Sequence, residues 1–344
     1  MSGVTLVLVS AALLAASFAA TSALIRASMP LLRRYALARP NARSSHVEPT
    51  PQGAGMAVII PAVIVLSLMP LAPALGWANP YPGAPLVAIS LVLLAIVGAI
   101  DDIRPLPAIV RLPFHLLAAG LIVASLPSDM RALPLLPAWL ETVILVLGLV
   151  WFINLTNFMD GIDGITVAEF LPLSLLIVVI ATLTAAKSVG AALPAAVALA
   201  GGLAGFMPYN MHPARVFLGD VGSLPIGALG GWFLIVVAAE VSLAAALILP
   251  LYYLADATLT LYQRWQRCER LYEAHRSHAY QRAIRAGFTV PEVSGAVLAL
   301  NCGLAVLALA AVESASAAID ILALTVGAVL TAALIHHFER GKAT

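Results

Sequence analysis

Two aspartates close a membrane-length apolar run in the stretch NFMDGIDGI, residues 157–165. Asp160 and Asp163 stand three residues apart, and a glycine follows each of them. If this turn is helical, the spacing places both carboxylates on one face, where like charges repel unless a cation lies near them. Carboxylates combined with water and phosphate oxygens suit Mg²⁺. The stretch therefore predicts a magnesium site, and a polar turn with glycines as helix terminators is the alternative.

Two further polar stretches contain aspartates next to apolar segments. DDIRPLPAIVR (101–111) opens with Asp101 and Asp102, and paired acids at a hydrocarbon edge are costly unless they are paired, hydrated or metal-bound. In YNMHPARVFLGDVGS (209–223), the backbone N–H groups at a helix start suit a phosphate, and Asp220 is placed to hold a metal. The alternatives are a solvated helix end for the first stretch and a helix cap for Asp220.

Histidines and arginines occur together in HRSHAYQR (275–282). His275 and His278 with their neighbouring arginines suit an anionic phosphate, whereas a zinc site is disfavoured because no cysteine or further histidine lies at ligand spacing. A solvated basic loop is the alternative. A fifth polar stretch, PNARSSHVEPTPQGAG, covers residues 40–55.

The elements that position these stretches are membrane helices. Hydrophobic residues make up 62% of the 344-residue chain and charged residues only 10%, against about 25% charged in soluble domains. This composition excludes a soluble fold and predicts an all-α polytopic membrane protein, a bundle of about 11 transmembrane helices. The predicted spans are 3–25, 54–73, 84–100, 113–128, 135–156, 165–186, 190–207, 223–239, 241–260, 291–312 and 318–337.

The basic residues divide unequally between the two sides of these spans. Alternate connections on one side hold 16 of the 18 Lys and Arg residues, and the other side holds only Arg131 and Lys187. The positive-inside rule makes the rich side cytoplasmic, with the N-terminus outside and the C-terminus inside. The first apolar run is predicted to be a span because its arginines follow it, unlike those of a signal peptide.

All five polar stretches lie on the cytoplasmic side, which predicts a shared active-site cleft at that face. We expect one transmembrane domain over residues 1–344. The predicted inner loops are about 26–53, 101–112, 157–164, 208–222 and 261–290.

The ordered set of Asp101–Asp102, NFMDGIDGI, NMHPARVFLGDVGSLPIG and HRSHAYQR resembles the polyprenyl-phosphate N-acetylhexosamine-1-phosphate transferases (glycosyltransferase family 4). NARSSHVEPTPQGAG and HRSH look like the O-antigen-initiating branch, whereas the peptidoglycan branch normally shows adjacent histidines in the last inner loop. The usual PTPRGGG of the family is here PTPQGAG, with Gln52 and Ala54 as departures.

The resemblance implies roles for particular residues. Asp220 would be the main Mg²⁺ ligand and Asp163 the second, with Mn²⁺ as a substitute ion. Asp101 or Asp102 would accept the proton of the lipid phosphate or hold that phosphate near the metal. The other implied catalytic residues are Asp160, His275 and His278, and the implied substrate contacts are Arg111 and Arg276 (pyrophosphate), Phe217 (uracil stacking), Asn210 (nucleoside) and Asn157.

The implied reaction transfers HexNAc-1-phosphate from a UDP-sugar to undecaprenyl phosphate and releases UMP. The donor would be UDP-GlcNAc or a sugar of the UDP-FucNAc or UDP-QuiNAc type. This reaction would be the first membrane step of O-antigen or related cell-surface polysaccharide synthesis. The expected partners are these two substrates and the bilayer of a bacterial inner membrane, with no nucleic acid, and a homodimer stays open. The alternatives are phospho-MurNAc-pentapeptide transfer and a secondary transporter. A transporter predicts mid-span acids and two related halves, and no repeated halves are found in the sequence.

Overall fold

The computed structural model describes residues 3–38, 49–71, 81–270, 276–314 and 316–342. These residues form helices almost throughout. The helices are α1 (Gly3–Tyr35), α2 (Gly55–Leu68), α3 (Ala84–Ile103), α4 (Ala108–Ala124), α5 (Ala138–Met159), α6 (Ile165–Leu183), α7 (Lys187–Asn210), α8 (Asp220–Glu240), α9 (Leu243–Ile248), α10 (Leu251–Gln266), α11 (Ala279–Arg285), α12 (Val290–Glu313) and α13 (Ala317–Arg340). A 3₁₀ turn, Met69–Leu71, follows α2, and the strands β1 (Leu37–Ala38) and β2 (Thr50–Pro51) pair antiparallel.

Eight of these helices are long and apolar enough to cross a membrane, namely α1, α3, α5, α6, α7, α8, α12 and α13. The predicted all-α membrane class is therefore confirmed. Two shorter apolar helical segments overlap the second and fourth predicted spans, namely Gly55–Leu71 (α2 with its 3₁₀ turn) and Ala108–Ala124 (α4). A helix of 17 residues extends about 26 Å, slightly less than the roughly 30 Å of a bilayer core, so the count of eleven stays a prediction.

The ninth predicted span, 241–260, is broken in the structure. Helix α9 ends at Ile248, and α10 begins at Leu251 directly after Pro250. Proline has no N–H for the helical hydrogen bond and its ring clashes with the preceding turn, which explains the interruption there. Helix α10 then continues to Gln266, six residues beyond the predicted end of the span.

Several predicted inner loops begin as helix. Helix α1 extends to Tyr35, so the first part of the predicted loop 26–53 is helical. Arg33 and Arg34 lie in its last turn, where positive charge complements the helix dipole. Likewise α3 includes Asp101 and Asp102, and α7 includes Asn210. The span boundaries predicted from hydropathy therefore stop short of the real helix ends, because helices extend beyond the hydrocarbon region into polar residues.

Helices α7 and α8 form the centre of the bundle, and most of their residues are buried. Helix α7 packs on α1, α2 and α6, whereas α8 packs on α3 and α5. Small residues permit this close packing: a Cβ atom on Gly201 would lie 2.5 Å from the carbonyl oxygen of Leu14 in α1. Such small-residue contacts are typical of helix pairs in membranes, where close van der Waals packing drives association.

Candidate active site

Six helix ends meet at one end of the bundle. The last turns of α3, α5 and α7 and the first turns of α4, α6 and α8 bring together the stretches 101–112, 157–164 and 208–222, as hydrogen bonds among their residues show. We call this the site end. The sequence predicted that these three stretches share a site, and the structure brings them into contact.

Asp102 fixes the start of α8 from the end of α3. Its Oδ1 accepts a hydrogen bond from the Asp220 N–H at 2.9 Å, and its Oδ2 accepts one from the Val221 N–H at 3.1 Å. Gly219 permits this contact, since its φ is +75° and a Cβ there would lie 2.5 Å from Asp102 Oδ2. A carboxylate at a helix N-terminus is stabilised by free N–H groups and by the helix dipole. Asp102 therefore positions Asp220.

Asp101 and Asp220 share one arginine. Arg111 Nη1 lies 2.8 Å from Asp101 Oδ2 and 3.2 Å from Asp220 Oδ2. The other oxygen of Asp220 accepts a hydrogen bond from Asn157 Nδ2 at 2.7 Å, and the same amide nitrogen lies 3.0 Å from Ser223 Oγ. Asp101 also accepts the Leu106 N–H at 2.5 Å. The result is a partly exposed cluster of polar side chains from α3, α4, α5 and α8.

We define the acidic cluster as Asp101, Asp102 and Asp220. When ionised, these three carboxylates and the Arg111 guanidinium carry a formal charge of −2 in all. Arg111 Nη1 contacts one carboxylate oxygen of Asp101 and one of Asp220, and the negative charge that remains favours a further cation nearby. Hard oxygen donors suit Mg²⁺, which keeps several of its waters and takes one or two carboxylates. The cluster therefore fits a hydrated divalent cation, although the described residues contain no group of three or more His, Cys, Asp or Glu residues in a ready-made metal-ligand arrangement.

The turn between α5 and α6 is not helical, so Asp160 and Asp163 do not share one helical face. Asp160 ends α5 with φ −82° and ψ 58°, and Gly164 has φ +77°. Asp163 is 2% exposed, and its Oδ2 accepts the Ala214 N–H at 3.0 Å and lies 2.7 Å from His212 Nδ1. The structure thus gives Asp163 partners other than those of Asp220, and its predicted metal contact stays a prediction.

Asp160 is close enough to Asp102 and Asp163 for the charges of both to act on it. Its Oδ1 accepts a hydrogen bond from the Thr166 hydroxyl at 2.5 Å. Burial raises the pKa of Asp160 to about 7; the Thr166 hydrogen bond opposes this shift, and the charges of Asp102 and Asp163 add to it. Near neutral pH this carboxyl group is therefore only partly ionised.

Asn210 and Phe217 hold the stretch 209–223 in place. Asn210 is buried, accepts the Gly164 N–H at 2.8 Å and donates to the Val216 carbonyl oxygen at 3.2 Å. The Phe217 N–H donates to Pro51 O at 2.8 Å, and its carbonyl oxygen accepts the Gly53 N–H at 3.2 Å. The side chain of Phe217 is partly exposed at the site end. Asn210 thus has a structural role in addition to its predicted nucleoside contact.

Gln52, one of the two departures from the family pattern, also has a structural contact. Its Nε2 donates to the backbone oxygen of Asp102 at 2.8 Å. Ala54, the other departure, is buried at the start of α2. The stretch around them therefore supports the end of α3, and most of the remaining residues of that loop, 39–48, lie outside the described residues.

The loop after α10 contributes a buried histidine. His278 is 2% exposed, and its Nδ1 lies 3.6 Å from Asp256 Oδ1, so the structure places it inside the protein and not at an open surface. The backbone oxygen of Arg276 accepts a hydrogen bond from Arg285 at 2.7 Å. His275 lies outside the described residues. The predicted phosphate contacts of these three residues stay predictions.

Sequence reasoning missed His212, Ser223, Thr166 and Tyr280. His212 contacts Asp163, Ser223 contacts Asn157, Thr166 contacts Asp160, and Tyr280 contacts the end of α5. All four lie within or directly after the polar stretches singled out in the sequence. What was missing was the pairing, because each partner except that of Thr166 lies at least 49 residues away along the chain.

Comparison with known proteins supports the family resemblance. Residues 84–238 match the family model of glycosyl transferase family 4. This part of the chain is similar to glycosyl transferase family 4. It contains Asp101, Asp102, Arg111, Asn157, Asp160, Asp163, Asn210, Phe217 and Asp220. The resemblance to this enzyme family that the sequence indicated is confirmed.

Several named relatives share about a third of the aligned residues. The decaprenyl-phosphate N-acetylglucosaminephosphotransferase of Mycolicibacterium smegmatis is 33% identical over 214 residues, 58% of this chain and 53% of that protein. The probable undecaprenyl-phosphate N-acetylglucosaminyl 1-phosphate transferase of Bacillus subtilis is 29% identical over 212 residues, 58% of this chain and 56% of the relative. The phospho-N-acetylmuramoyl-pentapeptide-transferase of Moorella thermoacetica is 33% identical over 185 residues, 47% of this chain and 57% of the relative. The chain thus spans about half the length of the relatives it matches.

Proposed function

We propose that the protein transfers HexNAc-1-phosphate from a UDP-N-acetylhexosamine to undecaprenyl phosphate and releases UMP. The observation that carries the proposal is the acidic cluster with Arg111, which lies at the ends of membrane helices within the family match. One substrate is then a lipid whose tail stays in the bilayer, and the other is a soluble nucleotide sugar. A charged site at the end of a membrane helix can be reached by the lipid headgroup from the bilayer and by the nucleotide sugar from the aqueous side.

The chemistry is a displacement at phosphorus. An oxygen of the lipid phosphate forms a bond to the β-phosphorus of the UDP-sugar, and the bond between that phosphorus and the bridging oxygen breaks, so UMP leaves with the electron pair. The acceptor phosphate is largely ionised at pH 7, because its second pKa is roughly 6, and a strong general base is not required. Positioning and charge stabilisation then supply most of the catalysis.

Six residues of the site have roles in this proposal. Asp220 and Asp101 would hold Mg²⁺, and the ion when bound would neutralise the phosphate charge of the leaving UMP. Arg111 holds these two carboxylates in a fixed relation, and Asp102 holds the first turn of α8. Phe217 and Asn210 lie on the stretch that would receive the nucleoside.

The donor is best tested among acetamido sugars. The chain matches relatives whose names give N-acetylglucosamine as the transferred sugar and a relative whose name gives phospho-N-acetylmuramoyl-pentapeptide. The HRSH loop favours the O-antigen-initiating branch over the peptidoglycan branch. We therefore propose UDP-GlcNAc or a related 6-deoxy donor as the substrate, in a bacterial inner membrane with the site end facing the cytoplasm.

The test is UMP release by the purified protein in detergent with undecaprenyl phosphate, Mg²⁺ and a panel of UDP-sugars: GlcNAc, GalNAc, FucNAc, QuiNAc and MurNAc-pentapeptide. We expect UMP from an acetamido-hexose donor and a loss of at least about 100-fold in Asp220→Asn, the magnitude typical for removing a group that stabilises transition-state charge. Asp129→Asn is the matched control, since Asp129 is an exposed carboxylate near the end of α4 that lies opposite to Arg111.

The panel also separates the alternatives. UMP from MurNAc-pentapeptide alone would replace the proposed donor by the peptidoglycan precursor. No UMP from any donor, by protein with an intact melting transition, would overturn the proposed reaction.

A further inference from the structure

The loop that follows α10 is tied to the aspartate turn by a buried tyrosine. Tyr280 lies in the first turn of α11 and is completely buried. Its hydroxyl donates a hydrogen bond at 3.0 Å to the backbone oxygen of Phe158, in the last turn of α5. The last carbonyl groups of a helix have no intrahelical donor, so Tyr280 satisfies one of them directly before the turn that contains Asp160 and Asp163.

Gly161 makes this contact sterically feasible. A Cβ atom on Gly161 would lie 2.1 Å from the Tyr280 hydroxyl oxygen, 3.0 Å from its Cζ and 3.1 Å from its Cε2. The tyrosine ring therefore packs directly on the backbone between Asp160 and Asp163. Glycine at this position has a steric reason, which the sequence alone attributes to helix termination.

Asp256 of α10 holds Tyr280 from the other side. The Asp256 carboxylate is 1% exposed and accepts hydrogen bonds from the Ala279 N–H at 2.7 Å and the Tyr280 N–H at 3.3 Å. The hydroxyls of Tyr252 and Thr260 donate to it at 3.3 Å and 3.2 Å. A buried carboxylate is stable only with several such donors, so this network fixes the start of α11 relative to α10.

His278 completes the arrangement. Its ring stacks on that of Tyr280, with centroids 5.8 Å apart and planes inclined by 14°, and its Nδ1 faces Asp256. Burial, together with the charges of Asp256 and Asp160, raises the pKa of Tyr280 well above its usual value. The hydroxyl therefore keeps its proton and acts as a donor at every pH in which the protein would function.

We propose that Tyr280, held by Asp256, is a positioning residue that fixes the Asp160–Asp163 turn for catalysis. This inference rests on the proposed function for its kinetic part only. Tyr280 touches no atom of the acidic cluster in the described contacts, so it acts through the backbone of residues 158–161. Misplacing catalytic groups by about 1 Å can cost up to 100-fold in rate, which makes one hydrogen bond at this turn measurable.

The experiment compares Tyr280→Phe with Tyr262→Phe. Tyr262 is an exposed tyrosine on α10 and serves as the matched control. For Tyr280→Phe we expect kcat for UMP release to fall about 10-fold while KM for donor and acceptor stays within about twofold. A rise in KM with an unchanged kcat, or an equal loss in Tyr262→Phe, would overturn the proposal.

A second readout does not depend on activity. Hydrogen exchange of the amides of residues 159–164, measured without substrates, should be about 5-fold faster in Tyr280→Phe and unchanged in Tyr262→Phe. Unchanged exchange of this turn in Tyr280→Phe would overturn the positioning role. If the wild-type protein releases no UMP from any donor but the exchange difference is found, the proposed reaction fails and the contribution of Tyr280 to the order of the turn stands.

Gly161→Ala provides an independent variant. In the wild-type background the added methyl group must displace the Tyr280 hydroxyl, and we expect a kcat loss of about 10-fold. In the Tyr280→Phe background the 2.1 Å conflict is absent and only the ring carbons at 3.0 Å and 3.1 Å remain, so the further loss should be smaller. Additive losses in the double variant would show that the two residues act separately and would contradict the proposal.

Discussion

At the scale of single residues, the site depends on shared partners. One nitrogen of Arg111 contacts both Asp101 and Asp220, and one nitrogen of Asn157 contacts both Asp220 and Ser223. Because each donor holds two acceptors in a fixed relation, a substitution that keeps the charge but changes the shape of the donor should still be costly. Arg111 provides such a test, and the buried carboxyl group of Asp160 provides a separate one.

Arg111→Lys should lower kcat/KM for UMP release by about 10- to 100-fold. A lysine ammonium is a compact charge on a flexible stem, so it would hold a nitrogen between the two carboxylates less rigidly than the guanidinium does. The measurement is the steady-state rate as a function of Mg²⁺ concentration, with Arg104→Lys, an exposed arginine at the same end of the bundle, as control. Equal rates for Arg111→Lys and the wild-type protein would show that Arg111 acts through its charge alone.

Asp160→Asn should stabilise the ligand-free protein at pH 8 but much less at pH 5.5. The pKa of this buried carboxyl group is about 7, against an ordinary value of 3.8, so the folded protein binds a proton that the unfolded chain releases. The stabilisation that this bound proton gives the folded protein is complete below about pH 4 and is lost as the pH rises through 7. Asparagine avoids the loss because it does not ionise.

Melting temperatures in Mg²⁺-free buffer measure this difference. The advantage of Asp160→Asn should be roughly 1–2 kcal/mol larger at pH 8 than at pH 5.5. Asp129→Asn, at the opposite end of the bundle, should show no such pH-dependent gain. A gain of the same size at both pH values would mean that the ionisation of Asp160 does not affect folding.

At the scale of the elements, the position of α8 decides where Asp220 lies. Helix α2 crosses α8 in direct backbone contact: a Cβ on Gly55 would lie 2.2 Å from Gly222 Cα and 2.8 Å from Leu218 O. Asp102 holds the first turn of α8, and the stretch at the start of α2 bonds to Phe217 and Leu218 directly before that turn. The crossing leaves no room for even one added methyl group.

Gly55→Ala should therefore destabilise the protein by about 1–3 kcal/mol, the usual cost of overpacking, and should lower UMP release because the first turn of α8 must move. Gly148→Ala in α5 is the matched control, since a Cβ there meets nothing within 4 Å. Its melting temperature should be unchanged or slightly raised. Equal melting temperatures for the two variants would show that α2 and α8 are free to separate.

The elements also show what the sequence could predict. Hydropathy located a helix for each of the eleven predicted spans, because apolar length is a local property of the chain. The alternation of the predicted spans also placed the polar stretches on one side, and the structure brings three of them together at one end of the bundle. It did not predict the break at Pro250 or the non-helical turn after Asp160.

The contacts that give the site its geometry join residues far apart in the chain. Asp102 and the Asp220 N–H are 118 residues apart, and His212 lies 49 residues after Asp163. No periodicity or spacing encodes such pairs in a single sequence. They follow from helix packing, in which glycine positions such as Gly98 and Gly219 allow α3 to approach α8 closely.

At the scale of the whole molecule, the two ends of the bundle differ in charge. Arg131 and Lys187, the two basic residues that the sequence assigned to the outer side, both lie at the end opposite to the acidic cluster. There Arg131 pairs with Glu141, and Glu240 accepts hydrogen bonds from Ser188 in the first turn of α7. The arrangement of the helices is thus consistent with the charge asymmetry used for the orientation.

Labelling of cysteines tests this orientation. Cys268 is exposed directly after α10, at the site end, and Cys302 is exposed on the apolar helix α12. If the site end faces the cytoplasm, a membrane-impermeant maleimide should label Cys268 in inverted vesicles but not in intact spheroplasts. Cys302 should react in neither preparation, because lipid covers it, and should react with a lipophilic reagent in both.

The matched control is Asp129→Cys in a Cys268→Ser, Cys302→Ser background, which places one thiol at the opposite end. It should be labelled in spheroplasts and protected in inverted vesicles. Labelling of both single thiols from the same side would contradict an odd number of spans between them. The reverse pattern would put the acidic cluster on the outer face, where cytoplasmic nucleotide sugars do not occur, and would exclude the proposed donor together with the orientation.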